Sequence, residues 1–249
     1  MNKIYLIIVT LLFIGCTGKT PITGREQVIF MSPGEEKALG ESSYKEFLSK
    51  AKISSDKVQS ARVKNIGKKI AVAADRADFE WEFNLVEDKQ INAFCLPGGK
   101  VVVYTGILSV AKNDDQLATV MSHEIAHALA RHGAERMSHQ QISSGIQTLG
   151  NIIIGAAAPE YRNAFNIAYG YGTQFGVMLP YSRSHEYEAD AIGVYLMKQS
   201  GYDINEAVKF WQNMKEVKGK SQIEFFSTHP SDDNRIKRIS EIVKEFNKQ

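Results

Sequence analysis

Met121-Ser122-His123-Glu124-Ile125-Ala126-His127-Ala128-Leu129-Ala130-Arg131-His132 holds a His-Glu-x-x-His pattern inside a segment with helical spacing. Residues four apart on a helix share a face, about one turn up the axis. His123 and His127 can therefore offer two imidazole nitrogens to one cation, with the Glu124 carboxylate one residue round, beside the cation's open side. Two neutral imidazoles suit zinc, and a carboxylate so placed suits removal of a proton from water. The flanks support a helix. Asn113 is a candidate N-cap, with Gln116 three residues on to close a capping box. Leu117, Val120, Met121, Ile125, Ala128 and Leu129 supply a broad apolar face. A helix so largely buried does not carry solvated histidines, which argues against an incidental pattern.

The composition, 43% apolar and 23% charged over 249 residues, leaves room for one large globular domain. A formal net charge of +2, with no basic run interleaved with aromatics, sets nucleic acid aside as a partner. The start reads differently. Met1-Asn2-Lys3 is a short basic segment, and Ile4 to Ile14 is an apolar run too short to span a bilayer. Gly15-Cys16 then places a small residue before a cysteine. The pattern resembles a bacterial lipoprotein signal over 1–15 with Cys16 as the lipidated residue, although Phe13 stands where leucine is preferred. An ordinary secretory signal is the plainer reading. Thr17 after the cysteine, in place of Asp, points to the outer membrane. The expectation is a chain in the bacterial cell envelope, held at the membrane by an N-terminal lipid and facing the periplasm. With Cys16 modified, Cys95 has no partner for an internal disulfide and reads as a small buried hydrophobe.

Residues 16–34 are rich in Gly, Pro, Thr and Ser and read as a tether or an arm laid over the surface. The remainder, 35–249, reads as a single catalytic domain. Glu35 to Leu48 and Val58 to Ala74 carry helical spacing. From Trp81 the period changes to two, which predicts a half-buried strand. Ile91 to Leu96 and Lys100 to Thr105 predict two more, joined at Pro97-Gly98-Gly99. An exposed edge of such a hairpin can pair with an extended peptide through the backbone alone, which makes Asn92, Ala93 and Phe94 candidate substrate contacts. Between Gly145 and Leu179 the chain is rich in Gly, Ala and aliphatics. Pro159-Glu160-Tyr161-Arg162-Asn163 interrupts it, so neither side is long enough for a transmembrane helix. It reads as a helical excursion, with lipid contact or shielding of the cleft as second possibilities. Asp203 and Glu206 predict a capping box for the helix through Phe210, Trp211 and Met214. Ser231 predicts the cap of a last helix containing Ile236, Ile239 and Ile242.

Catalytic zinc sites take three protein ligands. The candidates for the third are His132, His139, His185, Glu186, Glu188 and His229. Glu186 and Asp190 share a helical face in the segment after Pro180. One carboxylate can then bind metal while the other holds the free N–H of a ligating imidazole. Gly193, seven on from Glu186, keeps that face slim where two helices approach. Glu186 is the choice and His185 the main rival.

The motif His123-Glu124-x-x-His127, with Glu186-x-x-Ala189-Asp190-x-x-Gly193 preceded by Ser182-Arg183, resembles the zinc metalloprotease family of the CAAX prenyl endopeptidases and HtpX, in its bacterial periplasmic lipoprotein branch. Asn92 to Gly99, Thr23-Gly24-Arg25, and His229-Pro230 with Arg235-Ile236 are similar as well. The resemblance implies an α+β, mostly helical, gluzincin-type zincin domain with a small antiparallel sheet or hairpin beside the metal helix. It implies one Zn2+ per chain on His123, His127 and Glu186, Glu124 as general base, and Asp190 behind the ligands. His229 would stabilise an oxyanion or gate the zinc. Arg235 would assist the substrate or be tied in a salt bridge. The expected activity is endoproteolysis of protein or peptide substrates, unfolded envelope proteins among them, in quality control. The transmembrane helices of the prenyl endopeptidases are missing, so prenylated substrates are not implied. The rival readings are a non-hydrolytic chaperone with a structural, four-ligand zinc, and a scaffold with a vestigial motif.

Overall fold

The computed structural model describes residues 17–173, 179–218, 225–229 and 233–248. Cys16, the segment 1–15, Pro230 and Ser231 lie outside them. In chain order the elements are β1 (Thr17–Lys19), β2 (Glu26–Val28), α1 (Pro33–Lys50), α2 (Lys57–Ala74), β3 (Glu82–Val86), β4 (Ala93–Leu96), β5 (Lys100–Tyr104) and a 3-10 turn at Thr105–Ser109. There follow α3 (Asp114–Leu129), α4 (His132–Ala157), a 3-10 turn at Pro159–Tyr161, α5 (Arg162–Thr173), α6 (Leu179–Gln199), α7 (Asn205–Lys218), α8 (Phe225–Thr228) and α9 (Asp233–Phe246). The α+β class expected from the sequence is what the chain adopts. Among the described residues no helix is long and apolar enough to cross a membrane.

Contacts divide the chain into two compact units, one of Met1–Ser32 with Arg131–Ser184, the other of Pro33–Ala130 with His185–Gln249. The described residues within 131–184 fall in the same unit as the N-terminal arm.

The larger unit is built on a three-stranded sheet in the order β3-β5-β4. The hairpin of β4 and β5 is antiparallel, with Leu96 opposite Lys100 and Ala93 opposite Val103. Its three-residue turn needs two left-handed residues, supplied by Gly98 (φ 83°) and Gly99 (φ 88°). The sheet is not wholly antiparallel, because β5 runs parallel to β3, with Phe83 opposite Val101. The chain returns from β3 to the far edge and only then enters the middle. The run Val101-Val102-Val103 carries that message, since a strand covered on both faces is continuously apolar. Phe83, Leu85, Ala93, Val101 and Val103 join the main core with residues of α2, α3, α6 and α7. Val86, Val102, Phe94 and Leu96 face Tyr44, Phe47 and Leu48 of α1.

Helix α3 crosses the core beside β4. Asn113 caps it as expected, its Oδ1 accepting from the Gln116 backbone N–H at 2.8 Å. The return contact is displaced by one residue: Gln116 Oε1 accepts from the Lys112 N–H at 2.8 Å. Its Nε2 donates to Glu206 at 2.8 Å. That contact takes Glu206 away from the capping box predicted with Asp203. The Asp203 N–H donates to Asp115 instead, at 2.9 Å. Asp203 Oδ1 accepts from the Asn205 N–H at 2.9 Å where α7 starts, and Glu206 fastens the helix to α3. At its far end α3 stops where Arg131 turns left-handed, φ 56°.

In the smaller unit the arm is an ordered hairpin, β1 pairing antiparallel with β2. Arg25 makes a bidentate bond to the buried Glu135 of α4, at 2.8 and 2.7 Å. The Phe30 N–H donates to Ser138 at 2.9 Å, so the arm lies along the first turns of α4.

Candidate metal centre

Helix α3 points His123, Glu124 and His127 into the larger unit's interior. His123 is 1% exposed and Glu124 3% exposed, while His127 is half-buried. From α6 come Glu186 and Asp190, both buried. The two helices approach where Gly193 faces the α3 backbone: a methyl there would stand 3.2 Å from the His123 nitrogen. The small residue allows the approach, as the spacing had suggested. His229 follows α8, its N–H bonded to the Phe225 carbonyl at 2.8 Å and its ring stacked on Phe225 at 4.4 Å.

Four side chains converge: one donor atom each from His123, His127, Glu186 and His229 lies within 4.8 Å of the others. His123 Nε2 is 3.2 Å from His127 Nε2 and 3.4 Å from His229 Nδ1. The Glu186 oxygens are 3.4 Å from His123 Nε2, 3.3 Å from His127 Nε2 and 3.3 Å from His229 Nδ1. Donors set about 2.0–2.1 Å from one zinc at tetrahedral corners lie roughly 3.3–3.4 Å apart. Five of the six edges lie near that spacing, with Glu186 Oε2 nearest His123 and Oε1 nearest His127, and three imidazoles with a carboxylate are a suitable donor set for a borderline-soft divalent ion. His132, His139, His185 and Glu188, the other candidates, stand outside this group.

Behind the donors lies a charge network. Asp190 Oδ1 is 3.0 Å from His123 Nδ1, in the position expected of an orienting carboxylate. The approach is close but off-line, so it is an electrostatic contact more than a well-formed hydrogen bond. Arg235 grips Asp190 through Nε and Nη2 at 2.8 and 2.7 Å, and reaches Glu186 Oε2 through Nη1 at 2.8 Å. Its guanidinium lies 4.1 Å over the Trp211 ring. Arg235 is itself 1% exposed. The guanidinium is buried and committed to two carboxylates, the salt-bridge alternative of the sequence reading.

Burial alone would favour neutral groups here, and the charges oppose it. Burial pushes the Glu186 carboxyl up, but His127, His123 and His229 together draw it well below the ordinary value. Asp190 is likewise pushed up by burial and lowered overall, mainly by Arg235. Burial lowers His123, yet Asp190 and Glu186 outweigh it and bring the imidazole up to about 9. Glu124 differs. Its burial dominates over the pull of His229 and His123, so its carboxyl is raised. Its Oε1 has no hydrogen-bond partner among the described residues, with the His229 Nε2 ring nitrogen 3.5 Å away. A carboxylate ringed by bonds is a poor base, whereas one with a bare oxygen and a raised pKa is better able to take up a proton.

The hairpin contributes less side-chain surface than expected. Ala93 is buried, and Phe94 turns toward α1, edge-on to Phe47 at 5.0 Å. The Asn92 carbonyl accepts from Tyr104 at 3.1 Å, and its side chain folds back on the Ala93 N–H at 2.9 Å. What β4 offers is its backbone, as an edge strand. Cys95, on the opposite face of β4 from Phe94, packs against the main core, and burial raises its thiol. The sequence reading missed Trp211 as a wall of the site. Its ring meets His123 edge-on at 5.3 Å, and an aromatic at a buried helical position gives no sign of which polar group it will touch.

Comparison with known proteins follows the same line. The profile described as "Peptidase family M48" matches residues 57–243. The chain is 35% identical to "Mitochondrial metalloendopeptidase OMA1" of Schizosaccharomyces pombe, over 90% of this chain and 66% of that one. It is 32% identical to the protein of that description in Saccharomyces cerevisiae, over 95% and 74%. Identity to "Beta-barrel assembly-enhancing protease" of Escherichia coli K12 is 29%, over 83% of this chain and 43% of that one. The chain thus spans from under half to about three quarters of these relatives' lengths. The expected placement in a bacterial envelope at the outer membrane is corrected by these matches. The mitochondrial relatives are the more similar, and the outer-membrane reading has no support.

Proposed function

This chain belongs to peptidase family M48, and from that premise we propose that it is a zinc-dependent endopeptidase acting on extended or poorly folded protein segments. His123, His127 and Glu186 are the ligands in this reading, and Glu124 is the general base. The carrying observation is the convergence of four donors, five of their six separations at 3.2–3.4 Å, beside a buried carboxylate whose Oε1 makes no hydrogen bond among the described residues. A bound zinc supplies Lewis acidity, polarising a peptide carbonyl and making a neighbouring water acidic near neutral pH. The chain's own residues do the rest. A Glu124 carboxylate oxygen takes a proton from the attacking water and passes it to the departing amine nitrogen. Asp190 orients His123 through Nδ1, and Arg235 holds both Asp190 and Glu186 in place. The free edge of β4, against α3, gives an extended peptide a strand to pair with, which favours substrates recognised by backbone over side chain.

His229 completes a four-donor set, and in this reading it gates the site: its ring swings away when a substrate approaches. Closure by four donors is also the mark of a structural zinc. Against that stands Glu124, since a structural site has no use for a buried, unbonded carboxylate at its rim.

The test is metal content and cleavage of an unstructured protein, measured on the wild type, Glu124→Gln and His229→Ala. The expected result is one zinc bound in all three, loss of cleavage in Glu124→Gln, and cleavage kept or raised in His229→Ala. Zinc lost from His229→Ala, with no cleavage by the wild type, would assign the metal a structural role.

A further inference from the structure

Helices α4 and α5 form a hairpin with a polar seam between them: Gln147 Nε2 donates to Asn166 Oδ1 at 3.0 Å. Asn151 and Asn166 exchange amide bonds at 2.9 and 3.1 Å. The Tyr169 hydroxyl donates to the Ser143 carbonyl at 2.8 Å. Its apolar side chains face outward. Leu149, Ile152 and Ile153 of α4 are 62%, 63% and 66% exposed, and Ile146, Tyr161, Ile167 and Tyr171 are exposed as well. On α4 the residues Ile146, Leu149, Ile152 and Ile153 make one stripe, on the side away from the Gln147–Asn151 seam.

We infer that this outer face rests in the surface of a lipid bilayer. Two observations favour lipid over a protein partner. The first is charge. In a chain that is 23% charged, no Asp, Glu, Lys or Arg occurs from Met137 to Pro159 or from Asn163 to Ser182. Protein interfaces use a polar rim to set register and exclude wrong partners. A face beside which only Glu160 and Arg162 are charged has little such rim. The second is the seam itself. An amide ladder between two helices satisfies polar groups internally, which is what an apolar solvent demands and water does not. No helix of the described residues is long and apolar enough to span a membrane, so the contact is a surface one.

Lack of charge makes a distinguishing prediction. Binding through Lys or Arg weakens with salt and needs anionic lipid, whereas this face carries neither dependence. The full chain is prepared as Ile153→Trp and, as a reference, Val72→Trp, a position 82% exposed on α2. Each is mixed with phosphatidylcholine vesicles brominated on the acyl chains, at low and at molar salt. The added tryptophan of Ile153→Trp should be quenched at both salts, and that of Val72→Trp should not. A triple variant, Leu149→Ser, Ile152→Ser and Ile153→Ser, should lower the vesicle-bound fraction about tenfold with helix content unchanged. Equal quenching at the two positions, or an unaltered bound fraction in the triple variant, overturns the inference. So does protection of Ile153→Trp from an aqueous quencher that appears without vesicles and grows with protein concentration, which would identify a second copy as the occupant.

Discussion

In the metal centre, charge is buried and, Glu124 apart, the charges answer one another within hydrogen-bonding reach. Arg235 faces two carboxylates, Glu186 faces three imidazoles, and Asp190 stands between Arg235 and His123. In the α4–α5 hairpin, charge is nearly absent, the polar groups that remain are amides and hydroxyls, and the apolar groups are outside. Both regions set aside the usual rule of apolar inside and polar outside. They do so for different reasons. A core can hold ions only where they compensate one another or wait for a cation, because desolvation is otherwise too costly. A surface can present isoleucines in a row only where its surroundings are not simply water.

The sharpest test of the first region is Glu124→Gln. Its side chain keeps its shape but cannot take a proton, so cleavage should fall about 10²–10⁴-fold with zinc content and melting temperature unchanged. Cleavage at the wild-type rate would remove Glu124 from the mechanism. Arg235→Met asks whether the buried charges depend on one another. It strands Asp190 and Glu186 together, and denaturant titration should show a loss of about 3–5 kcal/mol. A loss under 1 kcal/mol would mean that the network is not held as the geometry implies. Gly193→Val places bulk against the His123 backbone and should cost about 1–3 kcal/mol and weaken zinc binding together. Stability lost with zinc affinity intact would separate the helix approach from the donor spacing.

Glu206 supplies the pH test. Lys209 foremost, with the amides of Asn113 and Gln116, holds its carboxyl down to about 2 against an ordinary 4.5. A group depressed in the folded state stabilises fully above its unfolded value and loses that contribution as pH falls through the folded one. The stabilisation is therefore present above about 4.5 and fades toward about 2. Glu206→Gln should cost on the order of 1 kcal/mol at neutral pH, because Lys209 is exposed and its charge is screened. The stability difference from wild type should shrink with acid across that window; a difference that stays constant would show that Glu206 acts by packing. The smallest effect belongs to the hairpin. In aqueous solution without lipid, Leu149→Ser with Ile153→Ser should shift stability by no more than about 0.5 kcal/mol, since neither side chain is buried. A larger loss would mean that the face is already covered by protein and would end the contrast between the two regions.

Legibility from the sequence followed the range of the interaction. His123, Glu124 and His127 are linked by one helical turn, and Glu186, Asp190 and Gly193 by two turns of another helix, so periodicity alone grouped each set. The parallel pairing of β3 with β5, the removal of Glu206 from its local cap to the start of α3, and the burial of Arg235 under two carboxylates all depend on partners distant in the chain. The Gly- and Ala-rich stretch was recognised as unusual, yet which of its faces is polar depends on Asn151 meeting Asn166 across a turn.

The chain by itself determined the chemistry on offer: a helix with two imidazoles and a carboxylate on adjacent positions, a second with paired acids, and a long run without charge. Side-chain type and helical period settle these, because they act within a few residues. Tertiary structure decided what each group is used for. Only folding brings His229 to the donors, turns Arg235 from a surface cation into a buried clamp, and leaves Glu124 without a hydrogen bond on one oxygen. The reason is that burial and charge compensation are properties of a neighbourhood, and neighbours drawn from four helices are not written in any one of them.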